Sequence, residues 1–377
     1  MHDDEDQAND PYGLGHTPEA PDVEAPLLDY RPPRPKQYDP GIALIGCGGI
    51  TEHHLQAYRT DGYRVVALCD LDRNLAENRR KQYYPEATVH DDFREVLRRD
   101  DVEVVDVATH PQHRTIIIET ALRSGMHVLS QKPFVLDLDE GARLADLADE
   151  QGVRLAVNQN GRWAPHFSYL RQAIHSGLIG QVDGLHFGLH WDHGWVRGTE
   201  FEKIKHLLLY DFAIHWFDIA CCFLGDRPIH KVYATTTRAA TQRVKPPLLA
   251  QAMIECEGAQ ASITLDGNTP FGQQDTTCVV GSQGTLISQG VDLNRQQVTL
   301  DTAEGRARPE LEGAWFSDGF RGTMGELLLA IEEDRCPQHN ARDNLKSLAL
   351  CFAAVASAER GQPLAPGAVR KIPKVTF

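Results

Sequence analysis

Gly41-Ile42-Ala43-Leu44-Ile45-Gly46-Cys47-Gly48-Gly49-Ile50-Thr51 decides the fold. A short apolar run that stops at glycine reads as a buried strand. A helical pattern follows, with Leu55 and Tyr58 on one face. Gly46 lets the chain turn tightly, and Gly48 lets backbone approach a pyrophosphate. The helix opened by Gly49 and Ile50 then offers free N–H groups to that anion. The third fingerprint position is Thr51, not Gly or Ala, which predicts slightly wider helix–strand packing. Tyr63 to Cys69 is the next strand, ended by Asp70. A carboxylate there accepts hydrogen bonds from both adenosine ribose hydroxyls. It repels a 2′-phosphate, so the motif predicts NAD; NADP stays open because Arg73 can neutralise a phosphate. The competing role for Asp70 is a cap on the strand–helix turn.

Outward from this motif the pattern repeats. Val102–Val107, Met126–Ser130 and Val153–Val157 read as buried strands, separated by helical stretches. Asp137 with Glu140 forms a capping-box arrangement for one of those helices. Strand and helix alternate from residue 40 to 158, which predicts an α/β Rossmann domain with a doubly wound parallel sheet. Beyond Asn158 the texture changes. After a helix over 165–176, Leu185, Phe187, Leu189 and Trp191 alternate with His186, Gly188 and His190, a strand with one apolar face. Further strands follow at turn-bounded intervals, predicting a mainly antiparallel sheet in an α+β domain. Two helices, about 318–334 and 341–360, close the chain. The domains read as 1–38 tail, 39–158 dinucleotide-binding, and 159–377 substrate-binding and oligomerisation.

The chain has 377 residues and a net charge of −15. Residues 1–30 carry nine acids and no Lys or Arg, and the first 40 residues hold eight of the 21 prolines. Such a segment lacks apolar surface to offset its ordering entropy, so residues 1–38 are expected to be a disordered acidic tail. Deleting residues 1–36 should then leave the melting temperature untouched. The acidic balance argues against nucleic acid as a partner, and no apolar run is long enough to span a membrane. Eight cysteines without CxxC spacing, and no export signal, predict reduced thiols and a cytoplasmic location. His186, His190 and His193 invite a metal reading. On a strand, however, residues 186 and 190 lie about 13 Å apart, so no metal site is expected.

Four further stretches carry chemistry. Gln131-Lys132-Pro133 follows a parallel strand, at the edge where open α/β sheets place ligands. The Lys132 ammonium can bond a substrate hydroxyl and stabilise a developing alkoxide. Asp211, His215 and Asp218 sit at i, i+4 and i+7 of an apolar helix over 207–224, one polar stripe expected to face a cleft. His215 suits acid–base work. Thr109, His110 and His113 also lie at the ligand edge; His110 or His113 either touches the nicotinamide ribose or caps the loop. Arg162, at the domain junction, either reaches the cofactor or pins the domains together.

These motifs together resemble the Gfo/Idh/MocA oxidoreductases. Ile45-Gly46-Cys47-Gly48-Gly49-Ile50 looks like the family's nucleotide loop. Gln131-Lys132-Pro133 looks like its Glu-Lys-Pro motif with Gln for Glu. Asp211 and His215 match its Asp-x-x-x-His pair, and Gly281-Ser282-Gln283-Gly284-Thr285 resembles a turn of its second sheet. The resemblance implies a Rossmann domain followed by an open-faced sheet, and homodimers or homotetramers. It also implies NAD(P)-dependent oxidation of a secondary alcohol in a sugar, sugar acid or cyclitol. Lys132 and His215 would be catalytic and Asp211 would contact substrate; Gln131 would contribute to the cofactor site. Two rival functions share the scaffold: an NAD-dependent glycosidase acting by transient oxidation and elimination, and a non-catalytic NAD-binding regulator. The presence of both Lys132 and His215 speaks against the regulator.

Overall fold

A computed structural model describes residues 20–373 and 376–377. A two-residue strand, β1 (Asp22–Val23), precedes the first sheet. That sheet holds β2 (Gly41–Ile45), β3 (Arg64–Cys69), β4 (Thr88–His90), β5 (Val104–Val107), β6 (His127–Gln131) and β7 (Leu155–Asn158). Their order is β4-β3-β2-β5-β6-β7, and every pair is parallel. The order reverses beside β2, so the crevice for a ligand opens at the glycine loop that follows it. Helices α1 (Thr51–Asp61), α2 (Arg73–Tyr83), α3 (Phe93–Val96), α4 (Pro111–Arg123) and α5 (Leu138–Glu150) link the strands. Asp137 caps α5 by accepting from the Asp139 N–H at 2.9 Å.

After α6 (Pro165–His175), the second sheet begins with β8 (Val182–His190). Leu185, Phe187 and Leu189 point inward and His186 outward, the alternation the sequence predicts. A π-helical turn (Leu208–Phe212) leads into α7 (Ile214–Leu224). Strands β9 (Ile229–Thr237), β10 (Leu249–Cys256), β11 (Ala259–Asp266), β12 (Gln274–Gly281), β13 (Gly284–Asp292), β14 (Arg295–Thr302) and β15 (Gly305–Ala307) follow. The nine strands run β1-β15-β14-β13-β12-β8-β11-β10-β9. Only β8 with β11 and β1 with β15 are parallel among these pairs. Helices α8 (Trp315–Glu332) and α9 (Ala341–Arg360) end the fold. Asn340 caps α9 on the Asp343 N–H, and Gly361 closes it in the left-handed region, the conformation glycine adopts without strain.

One expectation about organisation is corrected. Residues 1–19 of the expected tail lie outside the described residues, but residues 20–38 are packed on the body. β1 pairs with β15, Tyr169 donates its hydroxyl to the Pro26 carbonyl at 3.1 Å, and Arg34 pairs with Asp61. Glu332 accepts from three successive backbone N–H groups, of Lys36, Gln37 and Tyr38. Gly325 makes the approach possible, because a Cβ there would lie 2.0 Å from the Pro33 carbonyl oxygen. Composition misleads here because backbone, not side chains, makes most of these contacts. Packing also crosses the division at residue 158. Phe320, Met324, Leu327 and Leu328 of α8 share a core cluster with Ile42, Leu44, Leu55 and Tyr58 of the first domain. Helix α8 therefore packs on the core of the parallel-sheet domain.

Candidate active site

Gly46 adopts φ 94°, and a Cβ on it would press 2.9 Å from the Ala108 carbonyl group. The β2 loop thus nests directly against the β5 loop that carries Thr109 and His110 and leads into α4 with His113. Gly48 and Gly49 have open space where a Cβ would stand, so a pyrophosphate can reach the backbone N–H groups at the start of α1. Thr51 is buried, and its hydroxyl donates to the Gly48 carbonyl at 2.6 Å. That bond shows how the fingerprint tolerates Thr in place of Gly or Ala. Asp70 performs the capping role: its carboxylate accepts from the Cys47 N–H at 2.7 Å and the Asp72 N–H at 2.9 Å. Each oxygen retains a lone pair, so the same group remains able to accept from a ribose.

Lys132 stands at the end of β6. Its ammonium donates to the Asp211 carbonyl oxygen at 2.9 Å and lies 3.4 Å from the Asp211 carboxylate. His215, one helical turn on, packs edge-on to Trp315 at 5.6 Å and beside Trp216. Its Nδ1 has no partner. Burial, and then the positive charge of Lys132, hold the His215 pKa well below the ordinary imidazole value. The ring is therefore a neutral base at physiological pH. The structure brings Lys132, Asp211 and His215 together, and the parallel-sheet edge supplies the cofactor side.

Three candidates go elsewhere. Arg162 is buried and forms a bidentate pair with Asp218 at 2.6 and 2.7 Å, with further bonds to Asp343 and the Gln338 carbonyl. Every terminal nitrogen is engaged, so its cofactor role is corrected to a pin between elements. Asp218 consequently leaves the expected stripe. The Ala213 N–H bonds the Leu208 carbonyl, five residues back, and this π turn breaks the single helix expected over 207–224. Gln131 is the third: its side chain is buried, accepting from the Lys132 N–H at 2.6 Å and facing His54 Nε2 at 3.0 Å. It belongs beneath the site rather than on the cofactor. Thr109 is half-buried with an unpartnered hydroxyl, while His110 and His113 are exposed at the rim.

Several contributors escaped the sequence reading. Buried Arg114 donates to the carbonyls of Thr109, Gln131 and Pro133, tying the two ligand-edge loops together. Burial lowers its pKa to about 10, so it stays charged. Arg79 bonds the Gly48 and Gly49 carbonyls at 3.2 and 3.3 Å, bracing the glycine loop. Asn160 holds the Trp315 indole N–H at 2.9 Å and so orients the ring against His215. His193 packs on Phe212 at 4.4 Å, and burial lowers its pKa to about 4. His186 faces Ser262 instead of a second histidine. Among the described residues no cluster of three or more His, Cys, Asp or Glu is arranged to hold a metal, and no helix is long and apolar enough to cross a membrane.

A glycine cradle at the switch point of a parallel sheet, facing a lysine and a neutral histidine, defines a nicotinamide-dependent oxidoreductase. Residues 41–159 match the oxidoreductase family with an NAD-binding Rossmann fold, and residues 167–287 match the GFO/IDH/MocA C-terminal domain. The chain belongs to the GFO/IDH/MocA family of NAD-binding oxidoreductases. It is 29% identical over 344 residues to a D-apiose dehydrogenase of Paraburkholderia graminis, covering 85% of this chain and 88% of the relative. An inositol 2-dehydrogenase of Rhizobium meliloti is 26% identical, covering 85% and 98%. Among solved structures, an oxidoreductase from Agrobacterium radiobacter in complex with NAD+, L-tartaric acid and magnesium shares the fold, with a TM-score of 0.77 at 21% identity over 88% of this chain and 99% of that one. A levoglucosan dehydrogenase complexed with NADH and levoglucosan gives 0.76 at 19%, over 87% and 100%.

Proposed function

We propose that the protein oxidises a secondary alcohol of a sugar, sugar acid or cyclitol, reversibly and with NAD. The observation that carries this reading is the Lys132 ammonium held on Asp211, near enough for its charge to act on the unpartnered His215 ring one helical turn on. Bound NAD supplies the hydride acceptor. His215 takes the hydroxyl proton, for which its depressed basicity keeps the ring unprotonated. Lys132 bonds the same oxygen as negative charge develops on it. Asp211 fixes the ammonium and offers its carboxylate to a neighbouring hydroxyl. Gly46, Gly48, Gly49 and Ile50 hold the pyrophosphate, Asp70 the ribose, and Thr109, His110 and His113 border the nicotinamide side. Relatives named for D-apiose and inositol support a polyhydroxylated substrate.

We also propose a homo-oligomer built through the outer face of the second sheet. Tyr233 and Met253 stand opposite each other on it, 40% and 63% exposed. The test of function is a panel of sugars, sugar acids, cyclitols and glycosides with NAD and NADP, followed by nicotinamide absorbance. Net NADH formation with a free polyol supports the dehydrogenase. Glycoside cleavage without net NADH assigns the chain to transient-oxidation hydrolysis instead. No turnover and no hydride exchange with any polyol overturns the reading.

A further inference from the structure

A buried chain of hydrogen bonds runs from Lys132 into the first domain, and the direction of every link is fixed. The Lys132 backbone N–H can only donate, and it meets Gln131 Oε1 at 2.6 Å. The amide nitrogen of Gln131 must therefore face His54 Nε2, 3.0 Å away, and Asn158 Nδ2 approaches the same ring atom at 3.3 Å. An atom with two donors aimed at it carries no proton. The His54 proton then sits on Nδ1, which donates to Asp106 Oδ2 at 2.6 Å. The Tyr58 hydroxyl donates to that same oxygen at 2.6 Å. His54 and Asp106 are completely buried, so each of these bonds forms away from water, where a misdirected donor costs most.

We propose that His54, Asp106 and Gln131 are positioning residues for Lys132, and that the amide at position 131 fixes the His54 tautomer, with the proton on Nδ1 and Nε2 accepting. A carboxylate at 131 would present an acceptor to Nε2 and satisfy the ring only when both nitrogens carry protons. The groups facing His54 are Asp106 from β5, Tyr58 from its own helix, Gln131 from β6, Asn158 from β7 and the Phe320 ring of α8 at 4.7 Å. His53 is its neighbour in the chain, and the charge of buried Arg114 acts on Asp106. None of them presents an acceptor to Nε2, so residue 131 decides which ring nitrogen carries the proton. The sequence departs from the resembled Glu-Lys-Pro motif at this very residue. The catalytic consequence rests on Lys132 acting as proposed above; the tautomer does not.

Two measurements test the inference on the full chain. In histidine-labelled protein, 15N NMR should find His54 protonated at Nδ1 and bare at Nε2. In Gln131→Glu both nitrogens should be protonated at low pH, one proton leaving as pH rises. A wild-type ring protonated at Nε2, or an unchanged tautomer in Gln131→Glu, overturns the proposal whatever the activity. In kinetics on a polyol substrate, Gln131→Glu should gain an alkaline limb in kcat that the wild type lacks. Gln131→Met should lower kcat about ten- to a hundredfold at every pH, because a small misplacement of Lys132 is costly, while the NAD dissociation constant stays within about threefold. Wild-type kcat in Gln131→Met overturns the positioning role. Absence of any polyol turnover by the wild type, with the tautomer as described, defeats the proposed function but not the hydrogen-bond assignment.

Discussion

The Lys132 ammonium, at the end of the parallel sheet, donates at 2.9 Å to the backbone carbonyl of Asp211, which begins the turn into α7 of the second domain. One bond thus spans the seam between the cofactor half and the substrate half. It also sets the electrostatics of the neighbouring ring, since the Lys132 charge adds to burial in depressing His215. Lys132→Met should cut alcohol oxidation by about two decades or more. It should also raise the His215 titration midpoint part of the way toward the ordinary value, because burial remains when the charge is gone. NMR titration of His215 in the variant checks this; an unmoved midpoint would show that the two groups are not coupled.

His215→Ala tests the base itself. Turnover should fall by about two decades or more, with NAD affinity nearly unchanged because the ring stands on the substrate side. The pH profile has a definite sign. A depressed pKa leaves the ring unprotonated into acid, so the acidic limb of kcat/KM in wild-type oxidation should lie below about 6.5, the value of a free histidine. A limb at or above that value would assign the base elsewhere.

The parts legible in the sequence were those carried by periodicity and by local turn chemistry. The glycine loop, the ends of β3 and β6, the inward set of β8 and the caps at Asp137 and Asn340 all follow from short-range rules. What escaped depends on contacts between distant residues. Nothing local distinguishes Arg114, Arg79 or His54 from other polar residues on amphipathic helices; their roles exist only once β5, β6 and β7 align. Arg162 and Asp218 show the converse. Each looked available for a ligand, and each satisfied the other across 56 residues. The π turn over Leu208–Phe212 shifts Asp211 relative to the regular helix that carries both His215 and Asp218, a register change no regular helical spacing encodes.

Cofactor choice should follow Asp70. Its carboxylate stands at the end of β3, bonded to the Cys47 and Asp72 N–H groups. Asp70→Ser removes a negative charge from the place a 2′-phosphate would occupy, with Arg73, 62% exposed, close by in sequence. The ratio of kcat/KM for NAD over NADP should fall by at least about tenfold. An unchanged ratio would place the adenosine ribose away from Asp70.

Deletion of residues 1–36 should lower the melting temperature, against the composition-based expectation. It removes β1, the carbonyl of Pro33 beneath Gly325 and the Arg34 partner of Asp61, whose carboxylate is buried. It also strips one of the three N–H donors, that of Lys36, from Glu332. Thermal unfolding of the truncated chain beside the full one decides the matter; equal midpoints would mean that these contacts add nothing to stability.

Asp275 gives a stability prediction with a fixed direction in pH. On β12 it lies opposite Leu189 and Gly290, 1% exposed, with Oδ2 unpartnered. Burial, and then the nearby Asp292 carboxylate, push its pKa up to about 7. An unfolded aspartate releases its proton near pH 3.9, roughly. Between those values the folded chain holds a proton that the unfolded chain has lost, so stability falls as pH rises through the window. The loss is absent below about pH 4, complete above about pH 7, and on the order of a few kcal/mol. Asp275→Asn abolishes the titration. Its amide also needs donors satisfied, which shifts the variant by a constant amount, so the informative quantity is the difference between two pH values. The melting temperature of Asp275→Asn relative to wild type should be several degrees higher at about pH 8 than at about pH 4.5. A pH-independent offset would mean that the carboxyl ionises in the folded protein as it does in water.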